Sequence, residues 1–173
     1  MIHRQRHDPT KSLVGFVLGD VEYAVAIARV KEIANPLPVV PLPHAPATVV
    51  GVADLRGELV PLVDLRARLG LPSAPATRKT KWILVDVAGR VVALVVDAVT
   101  DVFGMGGAEL RPAPSLGGGD DARGIEGVAS RGAAMVFVLD VGRLRELVDS
   151  VAAAGPMGVG APAPGLPLPG SRT

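Results

Sequence analysis

The sequence predicts a mainly β protein built from two small, similar units. Three observations carry that prediction. The hydrophobic content is 49%, only 3% of residues are aromatic, and 21 Gly and 16 Pro punctuate Val-rich runs; this composition suits many short strands and turns. Four pairs of apolar runs flank short turn sequences, as hairpins do. Finally, one of those hairpins recurs. Gly51-Val52-Ala53 reappears as Gly127-Val128-Ala129 and Asp64 as Asp140, both shifted by 76 positions, with an Arg-Gly pair between them in each copy.

Taken in order, residues 1–11 are a polar arm. LVGFVLGDVEYAVAI forms the first hairpin, turning at Gly19-Asp20, and IARVKEIANP follows it. VADLRGELVPLVDL turns at Arg56-Gly57, after which Asp64 stands as N-cap to a short helix, LRARL, closed by Gly70. A Pro- and Ser-containing linker, LPSAPATRKT, leads to KWILVDVAGRVVALVV, which turns at Ala88-Gly89. VASRGAAMVFVLDV turns around Arg131-Gly132, and Asp140 caps a second short helix, VGRLREL. The ordered domain is expected at 12–150, with duplicated units at about 12–72 and 80–149. Each unit has about five strands that curl into a small barrel to hide their edges. Residues 151–173, almost all Gly, Pro, Ala and Leu, are expected to be a disordered tail, in which PAPGLPLP resembles a polyproline ligand.

Several function classes are disfavoured. With 18 basic and 17 acidic residues the net charge is +1, and the basic residues are scattered, so no field draws nucleic acid or anionic lipid. Cysteine is absent, which removes disulfides, thiolate ligands and cysteine nucleophiles and suits a reducing compartment. The basic start lacks an apolar h-region, and no apolar run approaches the ~18 residues of a membrane span. A cytoplasmic protein is expected. His3 and His7 lie in the arm and His44 is alone between prolines, so no metal spacing exists. GGGDDA at 117–122 follows a Pro-rich segment instead of a strand, which makes it a loop and no dinucleotide site. Asp120, Asp121 and Glu126 lack calcium-loop spacing. No catalytic residue, cofactor or metal ligand emerges.

What remains is a binding surface. Arg56 sits at the tip of a rigid hairpin. In IARVKEIANP, residues Ile27, Val30 and Ile33 recur at near-helical spacing with Glu32 beside them. On the residues alone these apolar positions read as core and the charges as solvated; a docking surface is the other reading.

A resemblance shifts that balance. GVADLRGELVPLVDLR (51–66) resembles the central signature of the CheW family of chemotaxis adaptors. LGDVEYAVAIARVKEI (18–33), VVALVVDAVTDV (91–102) and LRPAP (110–114) resemble its other landmarks in the same order, spanning about 13–149. The resemblance implies two intertwined five-stranded SH3-like barrels and no enzymatic activity. It implies a role coupling the cytoplasmic hairpin tip of methyl-accepting chemoreceptors to the regulatory domain of a CheA-type histidine kinase, in the cytoplasm and recruited to receptor arrays. The receptor tip would lie in a groove between the barrels, where Val30, Glu32, Arg56 and Val99 match the family's receptor-facing positions and Ile27 and Ile33 lie nearby. Asp54 stands where the family commonly has Asn. Alternatives are a module of a larger or non-motility two-component pathway, or an SH3-like barrel serving another partner.

Overall fold

A computed structural model describes residues 11–105, 110–112 and 124–153. The expected arm, the Gly117–Gly119 loop and the Pro-rich tail lie outside the described residues, apart from the arm's last residue, Lys11, and the last helix, which runs to Ala153.

All four predicted hairpins form. They are β1 (Ser12–Leu18) with β2 (Val21–Ala26), β4 (Val49–Leu55) with β5 (Glu58–Asp64), β6 (Lys81–Val87) with β7 (Arg90–Val96), and β9 (Ile125–Arg131) with β10 (Ala134–Leu139). Two-residue turns join the first three at the expected positions. In the fourth the turn is Gly132-Ala133, one residue later than expected, because Arg131 still pairs with Ala134. At Arg56-Gly57 both residues have positive φ (54° and 85°), as do Ala88-Gly89 (52° and 82°). That geometry matches the right-handed twist of the flanking strands. Asp54 and Asp86 each accept the backbone N–H of the turn glycine, at 2.7 and 2.9 Å.

Two further strands, β3 (Val30–Ala34) and β8 (Ala98–Gly104), complete two five-stranded sheets. Sheet one has the order β8-β1-β2-β10-β9 and sheet two β3-β6-β7-β5-β4. The duplicated halves therefore do not each close a sheet of their own. The first hairpin joins sheet one with strands from the second half, while β3 to β5 join sheet two with β6 and β7. Parallel pairings of β10 with β2 and of β5 with β7 seal the exchange.

The repeated Gly-Val-Ala has a physical explanation. The chain leaving β3 returns so that Val40 pairs with Val52 on β4, and the chain after β8 returns so that Arg111 pairs with Val128 on β9. Each return joins the far edge of its sheet and curls it into a barrel. A Cβ on Gly51 would collide with the Val40 carbonyl, and one on Gly127 would lie 2.5 Å from the Arg111 carbonyl. Only glycine admits so close a backbone. The valine of each motif makes the closing hydrogen bonds, and Ala53 and Ala129 are buried inside their barrels.

The near-continuous apolar runs follow from burial on both strand faces. In β6, Trp82 and Leu84 fill the interior of barrel two, while Ile83 and Val85 face a larger core shared with barrel one. In β2, Ala24 points into barrel one and Tyr23 and Val25 into the shared core. Phe16, Tyr23 and Phe137 form a ring series with centroids 5.9 and 5.8 Å apart. Asp64 caps α1 (Leu65–Arg68) by accepting from Arg66 N and Ala67 N, and Asp140 caps a 3-10 turn (Val141–Leu144) that leads into α2 (Arg145–Ala153). Leu144, Leu147 and Val148 cover one side of the shared core.

Candidate functional site

Among the described residues the chain passes between the sheets twice, and the expected binding residues gather at those passages. The first crossover follows β2. Its residues Ile27–Arg29 form a single 3-10 turn that packs against β1 of one sheet and β6 of the other. The near-helical spacing of Ile27, Val30 and Ile33 does not continue as a helix. Val30 starts β3, whose residues pair with β6, and β-branched side chains favour that extended pairing. The second crossover is Asp97, between β7 and β8, two residues before Val99.

Ile27, Val30 and Val99 are half-buried against the shared core. Glu32 and Arg56 form an ion pair, and both are solvent-accessible, with side-chain exposures of 39% and 70%. This pair joins edge strand β3 to the tip of the β4–β5 hairpin, across the gap that barrel two closes. Ile33 is 43% exposed and, one residue after Glu32 on an extended strand, points to the opposite side. Ile27, Val30 and Val99 thus border the passages between barrels; Ile33, paired with Ile83, lies on the same side of β3 as Val30, and Glu32, paired with Leu84, carries the Arg56 ion pair on the barrel-two side.

The positive φ of Arg56 is uncommon for a residue with a side chain. Ala88 adopts the same conformation in the β6–β7 turn, so the backbone at Arg56 reflects the type of hairpin turn and not the side chain.

Two polar clusters escaped the sequence reading. Arg131 donates to Glu22 at 2.7 Å, pairs with Asp101 and lies 4.7 Å over the Phe103 ring, bridging the edges of barrel one as Arg56 does those of barrel two. Only the Arg-Gly repeat hinted at it. The other lies at the second crossover. Arg66 Nε donates to Asp97 Oδ1 at 2.9 Å, Nη2 reaches Asp97 Oδ2, and Nη1 donates to the Pro72 carbonyl at 2.8 Å. Asp97 Oδ2 also accepts the Gly19 N–H at 2.8 Å, and Asp97 N donates to the Val17 carbonyl at 3.2 Å. The Arg66 hydrogen bond holds the Asp97 carboxyl below its usual pKa range against the opposing effect of burial, with the Gly19 N–H assisting. The same bond keeps Arg66 the more firmly protonated. Separations of 31 and 78 residues leave no local signal for these contacts.

Among the described residues no group of His, Asp and Glu is arranged to hold a metal ion, and no helix is long and apolar enough to cross a membrane. Two exchanged β-barrels surround a common core, with an exposed ion pair on barrel two and half-buried apolar residues at the passages between them. The CheW-like domain model matches residues 12–148. The chain is 40% identical over 124 residues to the chemotaxis protein CheW of Rhizobium meliloti, covering 70% of this chain and 80% of that one. It is 32% identical over 142 residues to CheW of Klebsiella aerogenes, covering 79% and 86%. The crystal structure of the scaffolding protein TtCheW from Thermoanaerobacter tengcongensis superimposes with a TM-score of 0.70 at 27% identity, over 76% of this chain and 89% of that one. The chain belongs to the CheW-like family, with its two SH3-like barrels, and is a chemotaxis adaptor that couples receptors to a CheA-type kinase.

Proposed function

We propose that this coupling is non-catalytic, that it takes place in the cytoplasm at receptor arrays, and that the chain's two partners are the regulatory domain of a CheA-type histidine kinase and the hairpin tip of a methyl-accepting chemoreceptor. The receptor tip seats across the two crossovers. Ile27, Val30 and Val99 receive its apolar stripe, Ile33 adds an exposed apolar contact on the Val30 side of β3, and Glu32 and Arg56 fix its register from the other side of that strand. The observation that carries this reading is the gathering of half-buried Ile27, Val30 and Val99 on one shared core, beside an exposed ion pair. Half-buried apolar groups gain from being covered, and a charge pair at the rim discriminates between partners more than it adds affinity.

Contact with receptor and kinase together raises their effective concentration. Receptor state passes to the kinase only if affinity differs between states. The test is autophosphorylation of a reconstituted kinase with a receptor fragment, with and without the chain. The reading expects receptor control of the kinase only when the chain is present. Unchanged kinase activity, with neither component bound, would overturn it.

A further inference from the structure

We propose that Arg66 and Asp97 are positioning residues, forming a latch that sets the angle between the barrels and thereby the width of the receptor groove. This deepens the function proposed above and rests on it. Asp97 is where the chain leaves sheet two for sheet one. Its carboxylate accepts from Gly19, in the β1–β2 turn of sheet one, while its other bonds come from Arg66, which follows β5 of sheet two. Asp64 pairs in register with Val95, so Arg66 and Asp97 leave neighbouring strand ends and meet as a planar fork. The fork is largely shielded, with side-chain exposures of 17% for Arg66 and 33% for Asp97.

Two features separate this latch from ordinary packing. It is directional, because a bidentate guanidinium–carboxylate pair fixes orientation as well as distance. It also stands two residues before Val99, on the strand that supplies the groove's sheet-one wall. The apolar core between the barrels holds them together without specifying one angle; the fork and the Gly19 hydrogen bond select one. A receptor tip can transmit its state only through a groove whose shape is defined, so loosening the latch uncouples binding from control.

The chain has no cysteine, so a pair of introduced thiols can be spin-labelled cleanly. Arg90→Cys lies at the β6–β7 hairpin of sheet two and Ala133→Cys in the β9–β10 turn of sheet one, both exposed. Inter-label distances are measured by pulsed electron resonance in the otherwise native chain, in Asp97→Asn, which retains an acceptor for Gly19, and in Arg66→Lys, which retains the charge and loses the fork. Receptor control of the reconstituted kinase is measured on the same proteins without labels. The latch predicts a narrow distance distribution in the native chain, a broadened or shifted one in both variants, and receptor control reduced about fivefold or more. Arg66→Lys should lose less control than Asp97→Asn, while both variants stay folded with melting temperatures lowered by no more than about ten degrees. An unchanged distance distribution overturns the latch, and so does a broadened one with full receptor control. Failure of the native chain to confer control overturns the underlying function, which the distance measurement keeps distinct. If Asp97→Asn does not fold, Arg66→Lys alone decides by the same two readouts.

Discussion

The two crossovers are equivalent in plan and opposite in chemistry. After β2 the chain changes sheets through Ile27–Arg29, held by the apolar packing of Ile27 between β1 and β6. After β7 it changes sheets through Asp97, held by an ionic fork and two backbone hydrogen bonds. Apolar packing is insensitive to pH and tolerant of small rotations; an ion-paired fork is neither. One passage is thus a hydrophobic joint and the other a directional brace. The residues proposed to face the receptor draw on both, Ile27 and Val30 from the first and Val99 from the second.

Several substitutions would break or sharpen this contrast. The largest effect is expected at Phe16, fully buried in the core common to both barrels. Phe16→Ala should cost about 3–5 kcal/mol. Because each sheet contains strands from both halves, urea denaturation should still show one transition; two separated transitions would mean that the barrels stand alone. Asp97→Ala comes next, at about 1–3 kcal/mol, since it strands the partly buried Arg66 and the Gly19 N–H. Its effect should depend on pH. The Asp97 pKa is lower in the folded chain than its ordinary value of 3.8, so the pair's contribution is complete above that value and is lost as pH falls through the folded pKa. The native and variant proteins should therefore converge in stability in acid, and a gap that stays constant with pH would deny the ionic brace. Ile27→Ala should cost about 1–2 kcal/mol, given its half-burial, with no such pH dependence. Calorimetric scans at two pH values suffice to compare the pair. The smallest effect on stability belongs to Arg56→Ala, below about 1 kcal/mol because its ion pair is exposed. The same substitution should weaken receptor control of the kinase. A large loss of melting temperature would return Arg56 to a structural role.

Much of the fold could be read from the residues because its determinants are local. Each hairpin announced itself by a turn between apolar runs, and Asp64 and Asp140 were placed as helix caps by their position ahead of short helical sequences. Gly51 and Gly127 were visible as repeats, but their reason was hidden until Val40 and Arg111 were seen crossing above them. The exchange of strands between halves was not readable from periodicity. β5 meets β7, and β2 meets β10, through parallel pairings that no turn connects, and the resemblance to the CheW family alone implied the intertwining. At the candidate site Glu32 and Arg56 were named and prove to be paired. The Ile27–Ile33 segment suggested a helix because three apolar residues at three-residue spacing suit one turn as well as a strand with a bulge, which β3 has between Val30 and Glu32. The ion pairs of Arg66 with Asp97 and of Arg131 with Glu22 and Asp101 went unremarked because an ion pair formed across the fold leaves no trace in the neighbouring sequence.

The receptor tip is proposed to seat across both crossovers at once. Methyl resonances of Ile27, Val30 and Val99, followed during titration with a receptor hairpin fragment, test it most directly, with exposed Met135 on β10 as a control. Shifts are expected at all three methyl-bearing residues at the same receptor concentration, with Met135 unmoved. Shifts confined to one crossover, or centred on Met135, would contradict it.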